Sequence, residues 1–221
     1  MRLLRDYKML FIAGAVLFGP SLILPLMTTG SEALAICNTT LLCTHGATPW
    51  GAATSIFLFD SWTNIPAYFG ILATYVAFSD SVDQTERQRR ARFASVTIFI
   101  LAIAANVLWM HFLPWTHSYG PSGVVYALWG VLLAFTLFDG LPSHPKNFDV
   151  RLWYKDKKER SSALGNLMVF GFTAFMLASN PLAFLSAGPG VNIFAHGVSF
   201  LGGYSAAHLY RYRRLYTKTP I

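Results

Sequence analysis

Along this chain, long apolar runs alternate with short segments that carry the charges and the turn-forming residues. Six runs stand out, at about 9–29, 55–79, 93–113, 121–138, 163–185 and 192–209. Each approaches the ~20 residues that cross about 30 Å of hydrocarbon as a helix. No run alternates apolar and polar residues at every second position, as a barrel strand would. Helices are therefore predicted, because they satisfy every backbone group within the segment. The first run is too long for the apolar core of a signal peptide. No small-residue cleavage site follows it cleanly, so it counts as a span. The pattern predicts an all-α membrane protein, a single polytopic domain over residues 1–221.

Composition agrees with that frame. Of the 221 residues 54% are hydrophobic and only 12% charged, against about 25% charged in soluble domains. The charges then orient the spans. All 17 lysines and arginines fall in four segments. Arg2, Arg5 and Lys8 precede the first span, and Arg87, Arg89, Arg90 and Arg92 lie in 80–92. Lys146, Arg151, Lys155, Lys157, Lys158 and Arg160 lie in 139–162, and Arg211, Arg213, Arg214 and Lys218 in the tail. Six spans put these segments on one side, which the positive-inside rule makes cytoplasmic. Both termini are then cytoplasmic in a multi-pass protein of the cell membrane. The net charge of +7 reports topology and contact with anionic lipid. Nucleic acid is a poor partner for basic residues scattered over four membrane-flanking segments.

The outer loops are 30–54, 114–120 and 186–191. The first holds both cysteines, Cys37 and Cys43. It faces an oxidising compartment in this topology, so a disulfide is feasible; two unpaired small apolar residues are the other reading. Two cysteines with His45 give too few ligands for a metal. Asn38-Thr39-Thr40 matches a glycosylation sequon.

Polar groups inside a span are costly, and function concentrates there. The first set lies in HSYGPSGVVYALWG, His117 to Gly130. Pro121 suits the first turn of a helix, and Ser122 suits a cap. Gly120 and Gly123 flank the serine and clear space beside it. The free N–H groups of a helix start point at any anion that develops there. Ser122 thus reads as a cap, as a nucleophile, or as both. The soluble nucleophile elbow G-x-S-x-G is not matched, because Val124 stands at its last glycine. The second set centres on His196 in VNIFAHGVSFLGGYSAA. His196 lies a few residues into the last span from its outer end, level with Ser122. Gly123, Ala127 and Gly130 form one helical stripe, and Ser199, Gly203 and Ala206 form another after His196. Small stripes let membrane helices approach closely. Ser122 and His196 are then expected within reach of each other, as a nucleophile and its base must be. Plain helix packing would use the same stripes. The third set is Asp60 and Asn64, at i and i+4 near the outer end of the second span. The Asn64 amide would donate to an oxyanion, whereas Asp60 donates only when protonated. Capping or crosslinking of helices is the plain alternative for both.

These segments carry a family resemblance. GPSGVVYALWG closely resembles the G-x-S-G segment on the fourth transmembrane helix of the rhomboid intramembrane serine proteases. AHGVSFLGG is similar to their sixth-helix A-H-x-x-G-x-x-x-G motif. The predicted topology also fits their basic form. The resemblance implies a six-transmembrane-helix rhomboid-like bundle. It implies a serine-type endopeptidase that cuts transmembrane-segment substrates near the outer membrane face with a Ser–His dyad. Ser122 would be the nucleophile and His196 the general base. Ser122 and Asn64 would line the oxyanion hole, and Tyr126 would pack against the histidine. Gly120, Gly123 and Gly203 would support the site. Trp50 and Thr54 look like the Trp and Thr of the first-loop segment. No cofactor and no metal is implied, and the partners are transmembrane protein substrates and membrane lipids.

Three positions depart from the family pattern. Asp60 stands where the second-helix histidine is expected, Gly51 replaces the arginine after Trp50, and Ser199 replaces the first glycine after His196. The first two are the best support for a rival reading, a catalytically inactive rhomboid-like protein that binds transmembrane helices. A small transporter would instead carry polar residues through the midplane and show an internal repeat, and neither is present. The segment SAGPGV, 186–191, is rich in glycine and proline and is expected to act as a movable cap over the site.

Overall fold

The computed structural model describes residues 5–23, 43, 49–58, 63–79, 82–113, 118–140 and 193–216. Regular structure among them is helical: α1 (Lys8–Ile23), a short α2 (Gly51–Thr54) running into a 3-10 turn (Ser55–Phe57), α3 (Asn64–Phe78), α4 (Gln84–Phe112), α5 (Ser122–Gly140) and α6 (Ile193–Tyr216). The long helices lie over five of the six apolar runs. The remaining run, 163–185, falls outside the described residues, as does segment 186–191. One described helix, α4, is long and apolar enough to cross a membrane; the apolar stretches Lys8–Pro20 and Ser122–Leu137 are shorter.

Two helix starts differ from the apolar pattern, each for a local reason. The second run was expected from 55, but α3 begins at Asn64. Leu58 is extended and ends the 3-10 turn, and Pro66 then sits in the first turn of α3, where its missing N–H is harmless. The third run was expected from 93, yet α4 begins nine residues earlier, at Gln84. The Asp83 side chain accepts from the N–H groups of Thr85 and Glu86 and caps the helix. The charged stretch before the apolar run is thus helical, not loop, because an N-cap residue followed by a first-turn glutamate favours a helix start there.

α5 is the axis of the packing. Between Gly123 and Thr136 every residue but Tyr126 is buried, as a helix apolar on all sides requires. It packs against α3, α4 and, most extensively, α6. Gly130 and Gly203 make that last contact possible. A methyl group on Gly130 would run into the carbonyl of Phe200 and come within 2.9 Å of the Tyr204 nitrogen. One on Gly203 would run into the carbonyl of Ala127. The buried stripe on α6 is Ala195, Ser199, Gly203 and Ala207, four residues apart. The expected stripe ended on Ala206, which is only half-buried.

The basic ends are tied by polar contacts. The Arg87 guanidinium donates twice to one Asp6 oxygen, at 3.1 and 2.9 Å, and Gln88 donates to the other at 3.2 Å. Tyr7 donates to Ser79 at 2.5 Å. These bonds fasten the start of α1 to the α3–α4 connection. Arg90 pairs with Glu86 at 3.2 Å and lies over the Phe135 ring at 4.8 Å, while Tyr210 donates to Glu86 at 3.3 Å. That second cluster joins α4, α5 and α6.

Candidate active site

The site begins at the turn before α5. Gly120 has φ 116°, in the left-handed region that glycine alone enters at no steric cost. Its N–H donates to the Ser55 carbonyl at 2.9 Å. The Pro121 carbonyl accepts from Val124 and Val125 at 3.0 and 3.2 Å. Pro121 is therefore the cap position and Ser122 the first helical residue. Ser122 is half-buried, and its hydroxyl makes no hydrogen bond among the described residues. The serine opens the helix without capping it. Its own N–H and that of Gly123 precede the first intrahelical bond, so both face outward along the helix axis.

His196 lies one turn into α6. It sits one position off the buried stripe and is itself half-buried. Its ring stacks on Tyr126, with centroids 4.3 Å apart and planes at 25°. Tyr126 in turn lies 5.9 Å from Trp129, which meets Phe200 edge-on at 5.4 Å. A methyl group on Gly123 would lie 3.5 Å from both the Cβ and the carbonyl oxygen of Ala195. Ser122 precedes Gly123 and His196 follows Ala195, so the two flank one close helix–helix contact. The structure thus brings Ser122, Gly123, Tyr126 and His196 to one end of the α5–α6 crossing, with Gly203 two turns further along. No hydrogen bond joins Ser122 to His196.

Asn64 opens α3 and is half-buried, and it makes no hydrogen bond to Ser122. Asp60 falls outside the described residues. Trp50 is exposed and ends the turn before α2, its carbonyl accepting from the Thr54 hydroxyl at 3.2 Å. No group of three or more His, Cys, Asp or Glu able to hold a metal occurs among the described residues. Cys43 is buried and disulfide-bonded. The chain's only other cysteine is Cys37, which lies outside the described residues.

Two features escaped the sequence reading. The first is Asn106 on α4. Its buried amide donates to the Ala52 carbonyl at 3.0 Å and to the Ser55 hydroxyl at 3.1 Å. Ser55 in turn holds the Gly120 N–H. Asn106 thereby braces the 3-10 turn that supports the turn before Ser122. An asparagine in an otherwise apolar run was the available signal. The second is a cavity of about 220 Å³ between α3 and α5, lined by Ala67, Gly70, Ile71, Trp129 and Leu133, with Thr74 and Thr136 as its hydroxyls. It is apolar, and its Trp129 wall adjoins Tyr126. No periodicity marks a gap between two helices. Comparison with protein-family models, curated proteins and solved structures found no match to this chain.

Proposed function

We propose that this chain is a rhomboid-like intramembrane serine endopeptidase. The observation that carries the reading is the stacking of His196 on Tyr126 beside the Gly123–Ala195 approach. Two short motifs, far apart in sequence, meet at one end of one helix pair. A general base needs a fixed ring, and an aromatic face fixes it without using either ring nitrogen.

The chemistry follows from the positions. His196 takes the hydroxyl proton of Ser122, and the oxygen attacks a backbone carbonyl of the substrate. The N–H groups at the start of α5, with the Asn64 amide, hold the oxyanion. His196 returns the proton to the leaving amine, and an acyl-enzyme remains on Ser122. Water then gives a proton to His196 and attacks the ester, and His196 passes that proton to the departing Ser122 oxygen as the acid is released. The resting Ser122–His196 pair makes no hydrogen bond, and such bonds are commonly long before substrate binds. Substrate helices must unwind locally to offer a carbonyl, so helix-weakening residues near the outer face would be preferred.

The membrane setting is part of the same proposal: six spans, both termini cytoplasmic, cell membrane. Large apolar side chains lie exposed on three helices, including Ile12 and Val16, Val96 and Ile100, and Leu201 and Leu209. Such surface suits hydrocarbon better than water. The disulfide at Cys43 suits an oxidising outer compartment. The rival is an inactive relative that binds transmembrane helices; the unbonded Ser122 hydroxyl and the departures at Asp60 and Gly51 favour it.

A fluorophosphonate probe on detergent-solubilised protein decides between them. Wild type is expected to label and Ser122→Ala is not, with a model transmembrane substrate cut only by wild type. A folded wild type that neither labels nor cuts would make the chain the inactive relative.

A further inference from the structure

Five exposed residues of α4 lie on one face: Arg89, Arg92, Val96, Ile100 and Val107. Successive steps of three, four, four and seven residues keep them within one narrow helical stripe. The two cations come first and the apolar residues follow. Val96 and Ile100 are 59% and 60% exposed, so no described residue covers this stripe. A second exposed stripe, Leu201, Leu209 and Tyr212, runs along α6. The two helices run antiparallel and touch through Leu101 at Gly202 and through the Phe93 and Tyr210 rings, 4.7 Å apart. The stripes therefore flank one seam, and at its end α6 adds the exposed Arg213.

The charged side chains described at this end divide in a specific way. Glu86 is paired with Arg90, Asp6 with Arg87, and Asp83 caps α4. These three acids are thus engaged. The Arg89 and Arg92 side chains make no ion pair or hydrogen bond among the described residues, and arginine geometry suits a phosphate well. Val96 and Ile100 lie about 6 and 12 Å beyond Arg92 along the helix axis. Both depths fall within the ~15 Å of hydrocarbon in one leaflet.

We propose that the α4–α6 seam is a binding site for one anionic glycerophospholipid. Its phosphate is held by Arg89 and Arg92 at the basic end, and an acyl chain lies along Val96 and Ile100. The site rests on the membrane setting proposed above and is independent of the Ser122–His196 dyad. A zwitterionic lipid fits the apolar stripe equally well but carries a cation that Arg89 and Arg92 repel.

The test is native mass spectrometry of the full chain in detergent, titrated with phosphatidylglycerol, phosphatidylcholine or inorganic phosphate. Flotation with phosphatidylcholine vesicles reads the membrane setting by itself. The expected result is preferential retention of phosphatidylglycerol. Retention falls roughly 30-fold in Arg89→Gln/Arg92→Gln, the effect of losing two basic side chains near a lipid headgroup. Arg89→Lys/Arg92→Lys should keep most of the binding, and the charge-matched Arg5→Gln/Lys8→Gln should keep all of it. Equal retention of both lipids overturns the proposal. So does an equal fall in the control variant, which would make the attraction a diffuse one. Competition by phosphate alone at the concentration of the lipid would reduce the seam to a simple anion site and also overturn it. A protein that fails to float removes the membrane setting itself.

Discussion

Ser122 and the glycines near it play different roles although the sequence groups them together. Gly120 is required by its backbone, with φ 116°. Gly130 and Gly203 are required by their neighbours, because a methyl group would meet backbone that cannot yield. Gly123 is required by neither, since a methyl group there meets Ala102 and Ala195 at 3.4–3.5 Å, ordinary contact. Gly130→Ala is therefore expected to lower stability by about 1–3 kcal/mol, as overpacking does, and Gly123→Ala to change it by less than about 0.5 kcal/mol. Thermal unfolding in detergent separates the two. The same measurement bears on the serine. A capping serine replaced by alanine costs about 1 kcal/mol. Ser122 makes no such bond, so Ser122→Ala should unfold within about 0.5 kcal/mol of wild type while losing all probe labelling. A loss near the cap value would show that the hydroxyl is structural. His196 and Tyr126 were legible as candidates because their types and spacing are local facts. Asn106 was not singled out, because a lone amide in an apolar run says nothing about which loop it will brace.

At the scale of elements, the apolar runs located the helices and the polar residues between them set the ends. α4 extends nine residues past its apolar run because Asp83 caps it, and α3 starts late because Leu58 is extended and Pro66 needs a first turn. The α1 end is held by Asp6. Burial alone would raise the Asp6 carboxyl, but hydrogen bonds from Arg87 and Gln88, with the charges of Arg87 and Arg5, outweigh it and hold the group below its ordinary 3.8. A carboxyl depressed in the folded state adds stability that is fully present above the unfolded value and is lost as pH falls through the folded one. The attachment of α1 should thus be independent of pH above about 5 and weaken on acidification below 3.8. Asp6→Asn should be less stable at neutral pH and should lack that acid dependence. Hydrogen exchange of the α1 amides against pH reads both; an acid loss that survives in Asp6→Asn would assign it to other carboxyls.

For the molecule as a whole, α5 occupies the centre, and its start and the start of α6 meet at one end. The proposed site lies at that end, opposite the basic ends of α4 and α6. Cys43 precedes α2 in the chain, and its disulfide supplies a test of sidedness. Thiol reagents should leave the native protein unmodified. After mild reduction, a membrane-impermeant maleimide should react only from the side opposite the basic segments. Reaction from the basic side would invert the proposed topology, and reaction without reductant would remove the disulfide.

The sequence by itself located the five long helices that the structure describes, apart from two of their starts, showed which segments carry the positive charge, and named a serine and a histidine as candidates for nucleophile and base. These follow from hydropathy, charge and spacing, which are properties of neighbouring residues. The family resemblance implied that Tyr126 packs on His196 and the small stripes implied a close approach at Gly130 and Gly203, but only the tertiary structure supplied the ring stacking and the backbone each glycine meets, and only it showed that Asn106 braces the turn before Ser122. Those contacts depend on how α5 and α6 cross and how the 50–58 segment folds back on α4. Close packing settles such geometry by excluding backbone and side-chain overlap between distant segments, and a local pattern records at most that an approach is allowed.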